Sequence, residues 1–229
     1  MSQNVKDHPA LTRRRALARP QIIAFDLDET VYPRQAGVMQ AIGQRITLYL
    51  EQYLGMSHAE ALAERKRLTH KYGTTLRGLQ LERGISADEY LTFVHDVPVE
   101  QLVSYDARLD QALARIEADK VIFTNASREH AERVLHARGV RRHFSRIFDI
   151  RDLDWVCKPH PTAYLRLLTL LNAPASQCML VEDNERNLRP AAEIGMSTVL
   201  VDAQPEDGVA DFVIDELWQI ADVYAGLPR

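Results

Sequence analysis

The sequence predicts an α/β protein in which a Rossmann-like parallel sheet carries helices on both faces and a helical cap is inserted after the first strand. Short β-rich runs alternate with helical stretches from residue 105 onward, as in a parallel sheet covered by helices. About seventy residues separate the first strand from this alternating part, far more than a crossover between parallel strands requires. A folded insertion must therefore fill the gap.

The first strand, 21–26, is an apolar run that leads directly into the carboxylates Asp26, Asp28 and Glu29. Because burial of a charge costs free energy, these acids are expected where the strand emerges from the core. Further strands are predicted at 120–125, 146–150, 178–183, 197–202 and 211–214. The helices between them, several with proline in the first turn or glycine beyond the end, are predicted at 110–118, 127–138, 162–171 and 189–194. The last of these has Pro190 in its first turn.

The insertion spans 36–104 and is predicted to be helical. Apolar side chains recur at helical spacing over 38–53, and a glycine follows. The pattern S-x-x-E at 57–60 and at 86–89 is that of a capping box, which opens a helix. The predicted core then comprises 21–35 and 105–229, and the Arg-rich segment 1–20 is predicted to be a flexible tail.

The composition indicates an ordinary globular protein of 229 residues, 46% of them hydrophobic. The formal net charge of −4 gives no basis for a nucleic-acid or membrane surface. No apolar run approaches the roughly 20 residues of a transmembrane helix, and the amino terminus lacks the apolar core of a secretory signal. The two cysteines, Cys157 and Cys178, fit neither a disulfide framework nor a zinc spacing. Reduced thiols in a cytoplasmic protein are therefore expected.

Reactive side chains follow the predicted strands. In an open parallel sheet, ligands bind beyond the carboxyl ends of the strands, so residues there form one spatial set whatever their separation in sequence. The set consists of Asp26, Asp28 and Thr30 after the first strand, Thr124 and Asn125 after the second, Lys158 after the third, and Glu182 and Asp183 after the fourth. Carboxylates, one cation and hydroxyls are therefore expected to meet at one edge of the sheet.

These residues resemble the four motifs of the haloacid dehalogenase superfamily, in the same order and across the whole core. The motifs are D-x-D-x-T from Asp26 to Thr30, a strand ending in Thr124, Lys158 ahead of Pro159, and the acidic pair 182–183. More local stretches, at 71–79, 93–98 and 121–135, resemble the pyrimidine 5′-nucleotidase branch of its phosphatases. The resemblance implies a small phosphorylated metabolite as partner, most plausibly a nucleoside 5′-monophosphate such as UMP or CMP.

The residue types fit phosphomonoester hydrolysis, whose demands are a positioned nucleophile and neutralised phosphoryl oxygens. Asp26 is assigned as the nucleophile that forms an aspartyl-phosphate, and Asp28 as general acid and base. Lys158 is expected to act as a fixed charge, while Thr124 and the amides opening the next helix bind phosphate oxygens, with Asn125 beside them.

Mg²⁺ is the expected cofactor because it takes oxygen ligands and bridges carboxylates and phosphates. The assigned ligands are Asp26, the backbone carbonyl of Asp28 and Asp183, with Glu182 as a further ligand or as a neighbour that fixes the site. Asn187, four residues beyond Asp183, stands where many relatives carry another acid.

Substrate choice is expected to lie in the cap, because the core chemistry suits nearly any phosphomonoester. Thr74, Thr75 and Arg77 are candidates to meet a base or sugar, although they could equally form a turn between cap helices. Of the eight histidines, His130 is among those assigned to polar helix faces or loops, and His95 is expected to be hydrogen-bonded near the hinge of the cap.

Several alternatives stay open. A sugar-phosphate or phosphoglycolate-type phosphatase and a phosphomutase would share the same motifs. A dehalogenase of this fold would need no metal and normally lacks the second acid, so Asp28 argues against it. A non-enzymatic phosphoacceptor domain would be smaller and lack the helical insertion. The sequence makes no prediction of oligomeric state.

Overall fold

The structure, a computed structural model, describes residues 17–205 and 208–228. Within them, six parallel strands form one sheet in the order β3-β2-β1-β4-β5-β6. The strands are β1 Ile22–Phe25, β2 Asp119–Phe123, β3 Arg146–Phe148, β4 Cys178–Glu182, β5 Ser197–Val201 and β6 Phe212–Ile214. The predicted α/β fold class is confirmed, and β1 lies at its centre, where the strand order reverses.

Ten α-helices accompany the strands in the described part of the chain. They are α1 Val38–Leu54, α2 His58–Tyr72, α3 Thr75–Arg83, α4 Ala87–Val94, α5 Val99–Leu102, α6 Ala107–Ala114, α7 Arg128–Arg138, α8 Pro161–Leu171, α9 Glu185–Glu193 and α10 Ile220–Gly226.

Side chains of the central strand alternate between two apolar layers, as the pleat of a strand requires. Ile23 and Phe25 belong to the layer formed with α6, α7 and α10. Ala24 belongs to the opposite layer, formed with α8 and α9. Both faces of the sheet are therefore covered, and the carboxyl ends of β1, β2 and β4 are left as the edge at which polar groups can gather.

Two predicted helix starts are wrong. The helix predicted at 189–194 begins at Glu185, because the side chain of Asn184 accepts the amide hydrogen of Arg186, and Pro190 lies inside the helix. The helix predicted from residue 110 begins at Ala107, where the carboxylate of Asp106 accepts two amide hydrogens. In both cases a side-chain cap sets the start.

The insertion contains a small helical bundle with an apolar core of its own. Leu50 of α1, Leu68 of α2, Leu79 of α3 and Leu91 of α4 belong to one buried cluster, which is joined by Cys157 from the loop before α8. Ser57 and Glu60 form the expected capping box at the start of α2. At the start of α4, Ser86 accepts the amide hydrogen of Glu89.

The predicted tail lies mostly outside the described residues, which begin at 17. The residues that are described contact the carboxyl-terminal end of the chain: the Arg19 amide donates to the Pro228 carbonyl at 2.8 Å, and its guanidinium donates to the carbonyls of Ala225 and Leu227. No helix in the described ranges has the length and apolar character needed to cross a bilayer. Both cysteines are buried and unpaired.

Gly78 allows α2 and α3 to pack closely, so Gly78→Ala should destabilise the protein. A Cβ at this position would lie 2.9 Å from Cβ of Leu68 and 2.9 Å from Cδ2 of Tyr72, closer than carbon atoms normally approach. Overpacking of this kind costs about 1 to 3 kcal/mol, measurable as a lower urea midpoint. Gly226→Ala is the matched control, because a Cβ there meets nothing within 4 Å. Equal midpoints for the two variants would contradict the packing argument.

Candidate active site

A buried ammonium group holds two carboxylates together at the edge of the sheet. Nζ of Lys158 lies 2.5 Å from Oδ1 of Asp26 and 2.8 Å from Oε2 of Glu182. Asp26 directly follows β1 and Glu182 ends the neighbouring strand β4, so the register of the two strands brings the acids side by side. All three residues are buried. The structure therefore brings together acids and a cation that are far apart in the sequence.

The electrostatics of this cluster show an excess of negative charge. Burial, reinforced by Glu182, raises the pKa of Asp26 to about 7, although Lys158 opposes the shift. Burial likewise raises the pKa of Glu182 to about 7, again against the effect of Lys158. Burial disfavours the charged form of Lys158, but the two carboxylates outweigh it and raise its pKa. The cluster would thus be stabilised by a further positive charge.

The acids are arranged so that they could hold a metal ion. Asp26, Glu182 and Asp183 each offer a carboxylate oxygen, and these oxygens lie within 4.8 Å of one another. The hydroxyl of Thr30 donates to Asp26 at 3.1 Å and lies 3.5 Å from Asp183, while the guanidinium of Arg34 bonds Asp183 at 3.0 Å. A set of hard oxygen donors suits Mg²⁺.

The second acid has separate partners. Oδ1 of Asp28 accepts hydrogen bonds from the Tyr32 hydroxyl at 2.6 Å and from Nε2 of His130 at 3.0 Å. Burial would raise the pKa of Asp28, but the charge and hydrogen bond of His130, aided by Tyr32, hold it below its ordinary value. The Asp28 side chain therefore does not belong to the cluster around Lys158. The metal assignment for Asp28 concerns only its backbone carbonyl.

His130 is the functional residue that the sequence analysis missed. It was assigned to polar surface, and this is wrong because its side chain is wholly buried against Asp28. The signal was available in the helix periodicity: His130 lies one turn from the buried Val134 and next to the buried Ala131, on the inward face of α7.

The residues after β2 support the loop that carries Lys158. Asn125 accepts the Lys158 amide hydrogen at 2.8 Å and donates to the Lys158 carbonyl at 3.1 Å. Thr124 is buried, and its hydroxyl accepts the amide hydrogen of Ala126. Both polar atoms of the Asn125 side chain thus bond the lysine loop, and its second N–H and the hydroxyl of Thr124 can still donate to a ligand.

The three cap candidates have different environments. Thr74 caps α3 by accepting the amide hydrogen of Arg77, and Thr75 is buried with its hydroxyl 3.2 Å from that of Thr69. Arg77 is partly buried, and its side chain has no hydrogen bond or ion pair with any other described residue. Arg77 lies in the first turn of α3, shortly after Tyr72, whose carbonyl oxygen is 3.5 Å from Sγ of Cys157 beside Lys158. This part of the cap therefore lies against the loop that carries Lys158. Of the three, only Arg77 has a side chain without a hydrogen-bond partner among the described residues.

One curated relative covers most of this chain. Phosphate metabolism protein 8 of Saccharomyces cerevisiae is 26% identical over 196 residues, which are 79% of this chain and 61% of that protein. The chain therefore spans about three fifths of the length of this relative.

Solved structures share the whole architecture. L-2-haloacid dehalogenase from Xanthobacter autotrophicus, with chloropropionic acid covalently bound, is similar at a TM-score of 0.60 and 14% identity, over 90% of this chain and 99% of the other. The HAD-hydrolase YfnB from Bacillus subtilis, bound to magnesium, is similar at a TM-score of 0.61 and 17% identity, over 90% and 99%. At these identities the likeness establishes the fold.

A model of the family described as haloacid dehalogenase-like hydrolases matches residues 20–195, which include the central strand, the cap and all the strand-end acids. The match extends over more than half of the chain and over the cluster built around Lys158. The protein therefore belongs to the haloacid dehalogenase-like hydrolases.

Proposed function

We propose that this protein is a Mg²⁺-dependent phosphomonoester hydrolase that acts through a covalent phosphoryl group on Asp26. The observation that carries the proposal is the second acid: Asp28 is partly buried and fixed by two hydrogen-bond donors, separate from the acids around Lys158. A phosphatase needs such a group to protonate the leaving alcohol and to activate water. A dehalogenase has no use for it in expelling a halide ion.

The reaction would take place in two displacements. A carboxylate oxygen of Asp26 attacks phosphorus, the ester P–O bond breaks, and a proton passes from Asp28 to the leaving oxygen. Because its partners hold the pKa of Asp28 below the ordinary value, Asp28 takes up that proton only when the negative charge of the bound phosphate raises its pKa. In the second displacement Asp28 takes a proton from water, whose oxygen attacks phosphorus and releases inorganic phosphate and the Asp26 carboxylate. Lys158 holds Asp26 at 2.5 Å and favours its charged form, while the Thr124 hydroxyl would donate to a phosphoryl oxygen. The expectation that the first amides of α7 bind phosphate does not hold for Arg128 and His130, whose amides already donate to Asp149 and Ser127.

Bound Mg²⁺ would supply the positive charge that lets two anions approach each other. Asp26, Glu182 and Asp183 would hold it, together with the backbone carbonyl of Asp28. The donor set supports this assignment, as do the raised pKa values of Asp26 and Glu182, and the magnesium in the similarly folded YfnB agrees with it.

The substrate we propose is a nucleoside 5′-monophosphate with a pyrimidine base. The support is the resemblance of the cap segment 71–79 to pyrimidine 5′-nucleotidases, together with Arg77, which belongs to the part of the cap that lies against the loop carrying Lys158 and has no hydrogen-bond partner among the described residues. The name of the yeast relative agrees with phosphate chemistry in general. Sugar phosphates and 2-haloacids should be tested beside the nucleotides as substrates, because enzymes that use them share the motifs and the fold.

Replacement of either acid should separate the two displacements. Asp26→Asn should lower turnover by roughly 10³-fold or more, because the nucleophile is lost. Asp28→Asn should still be phosphorylated by p-nitrophenyl phosphate, whose leaving group needs little protonation, and should then accumulate the phosphoenzyme. Mass spectrometry of the quenched protein measures this as one added phosphoryl group on Asp26. Full turnover by Asp26→Asn, or a phosphoryl group on another residue, would contradict the assignment.

Metal removal should abolish phosphate release, and stabilisation by Mg²⁺ should depend on pH. A carboxyl group whose pKa is raised from 3.8 to about 7 stays protonated in the folded protein where the unfolded chain has lost the proton. Stability of the metal-free protein should therefore fall as the pH rises through that window. Since Mg²⁺ needs ionised ligands, it should raise the melting temperature more at about pH 8 than at about pH 6.

The control for metal binding is Asp183→Asn, which removes one of the three carboxylates and should lose the Mg²⁺-dependent shift in melting temperature. Unchanged phosphate release after chelation would contradict the metal assignment. An equal shift at both pH values would contradict the protonation argument.

Arg77→Ala should raise KM for a nucleoside monophosphate and leave the kinetics with p-nitrophenyl phosphate nearly unchanged. The reason is that the proposed contact of this guanidinium is with the base or sugar, which p-nitrophenyl phosphate lacks. Arg83→Ala, at the exposed end of the same helix, is the matched control and should leave the kinetics with both substrates unchanged. A similar loss with both substrates would place Arg77 at the phosphate instead.

A further inference from the structure

We propose that Tyr32 and His130 act as positioning residues that decide which oxygen of Asp28 carries the transferable proton. The inference rests on the proposed phosphatase function. Both donors contact the same oxygen, Oδ1, at 2.6 Å and 3.0 Å. The other oxygen, Oδ2, has no hydrogen-bond partner among the described residues.

This asymmetry has a chemical consequence. Each carboxylate oxygen has two lone pairs in its plane, and at Oδ1 two donors use them. The two donors favour the ionised carboxylate, so Asp28 takes up its proton when the anionic substrate is bound. Oδ2 is then the oxygen that carries the proton, because it is the one without donors, and from Oδ2 the proton can pass to the substrate. During the first displacement the proton passes from Oδ2 to the alcohol oxygen, and during the second Oδ2 takes a proton from water. The donors at Oδ1 keep the carboxyl group in one orientation through both steps.

The His130 ring is held rigidly enough for this role. Its side chain has no exposed surface, and the ring stacks on that of His95, with centroids 4.5 Å apart and planes 19° from parallel. His95 ends helix α4, and its Nδ1 lies 2.9 Å from Oγ of Ser127, the residue that caps α7. Arg133 of α7 also donates to the His95 carbonyl. The residue that follows α4 in the cap thus holds the His130 ring, which contacts Asp28.

Packing alone does not explain a histidine at this position. Nδ1 of His130 is buried and has no hydrogen-bond partner among the described residues, so the hydrogen bond to Asp28 is the only polar contact of the ring. A leucine would fill a similar volume without leaving a buried nitrogen unpaired. The protein thus leaves Nδ1 of His130 unpaired, and the same ring directs a donor, Nε2, at Asp28.

The test compares two kinds of ester by kcat/KM, which reports only the steps up to the first displacement. Uridine 5′-monophosphate and glycerol phosphate have alcohol leaving groups that need a proton, whereas p-nitrophenyl phosphate needs little help. His130→Leu should lower kcat/KM for the alcohol esters by about 10-fold or more beyond any loss with p-nitrophenyl phosphate. His130→Gln, which keeps an N–H donor, should recover much of that difference. His136→Leu, at an exposed position on the same helix, is the control.

Tyr32→Phe removes one oxygen and tests the same carboxylate oxygen from the other side, so the test does not depend on the folding of the His130 variants. It should show the same ester selectivity. Equal losses with all three esters in the Tyr32 and His130 variants would overturn the positioning role while leaving the phosphatase intact. Absence of phosphate release by the unmodified protein from every ester would overturn the proposed function and, with it, this inference.

Discussion

The site depends on one buried ammonium group placed between two carboxylates. Lys158 contacts both Asp26 and Glu182, and all three residues are buried, so neither acid can be moved without leaving charge uncompensated. The lysine loop is itself bonded to the side chain of Asn125 through its backbone amide and carbonyl. The nucleophile assigned to Asp26 is therefore held by a chain of polar contacts that begins at the end of β2.

Two acids that are only two residues apart acquire different environments in this fold. Asp26 shares the ammonium and the acid cluster, and its pKa is raised, whereas Asp28 has a tyrosine and a histidine as partners, and its pKa is lowered. In the protein without metal these shifts favour a protonated Asp26 and an ionised Asp28, so the roles proposed for the two acids require a bound cation beside Asp26 and a phosphate anion beside Asp28 to reverse them. The partners of Asp28 come from the strand-end loop and from α7, so the difference is built by tertiary contacts.

The sequence alone predicted the fold class and the meeting of Asp26, Lys158, Glu182 and Asp183. These predictions are confirmed because an apolar strand is recognisable from its own residues and because the carboxyl ends of parallel strands meet at one edge of the sheet. The contact between His130 and Asp28 was missed because it depends on how α7 is rotated against the sheet, although the spacing of buried residues in that helix carried the information. Thr75 could not be assigned in advance, since its burial follows from the packing of the cap helices. The two wrong helix starts lie where a side-chain cap, Asp106 or Asn184, begins the helix earlier than predicted, and in the second case the cap outweighed the proline rule at Pro190.

The pairing of β1 with β4 has a consequence for how this chain can vary. Phe25 lies beside Val181, so the next residues, Asp26 and Glu182, project in phase towards Lys158. A strand repeats every two residues, and a single inserted residue in either strand would turn one carboxylate to the opposite layer. Loops between the cap helices carry no such phase requirement. Length changes are therefore tolerable in the loops of the cap and forbidden in the two strands that hold the acids.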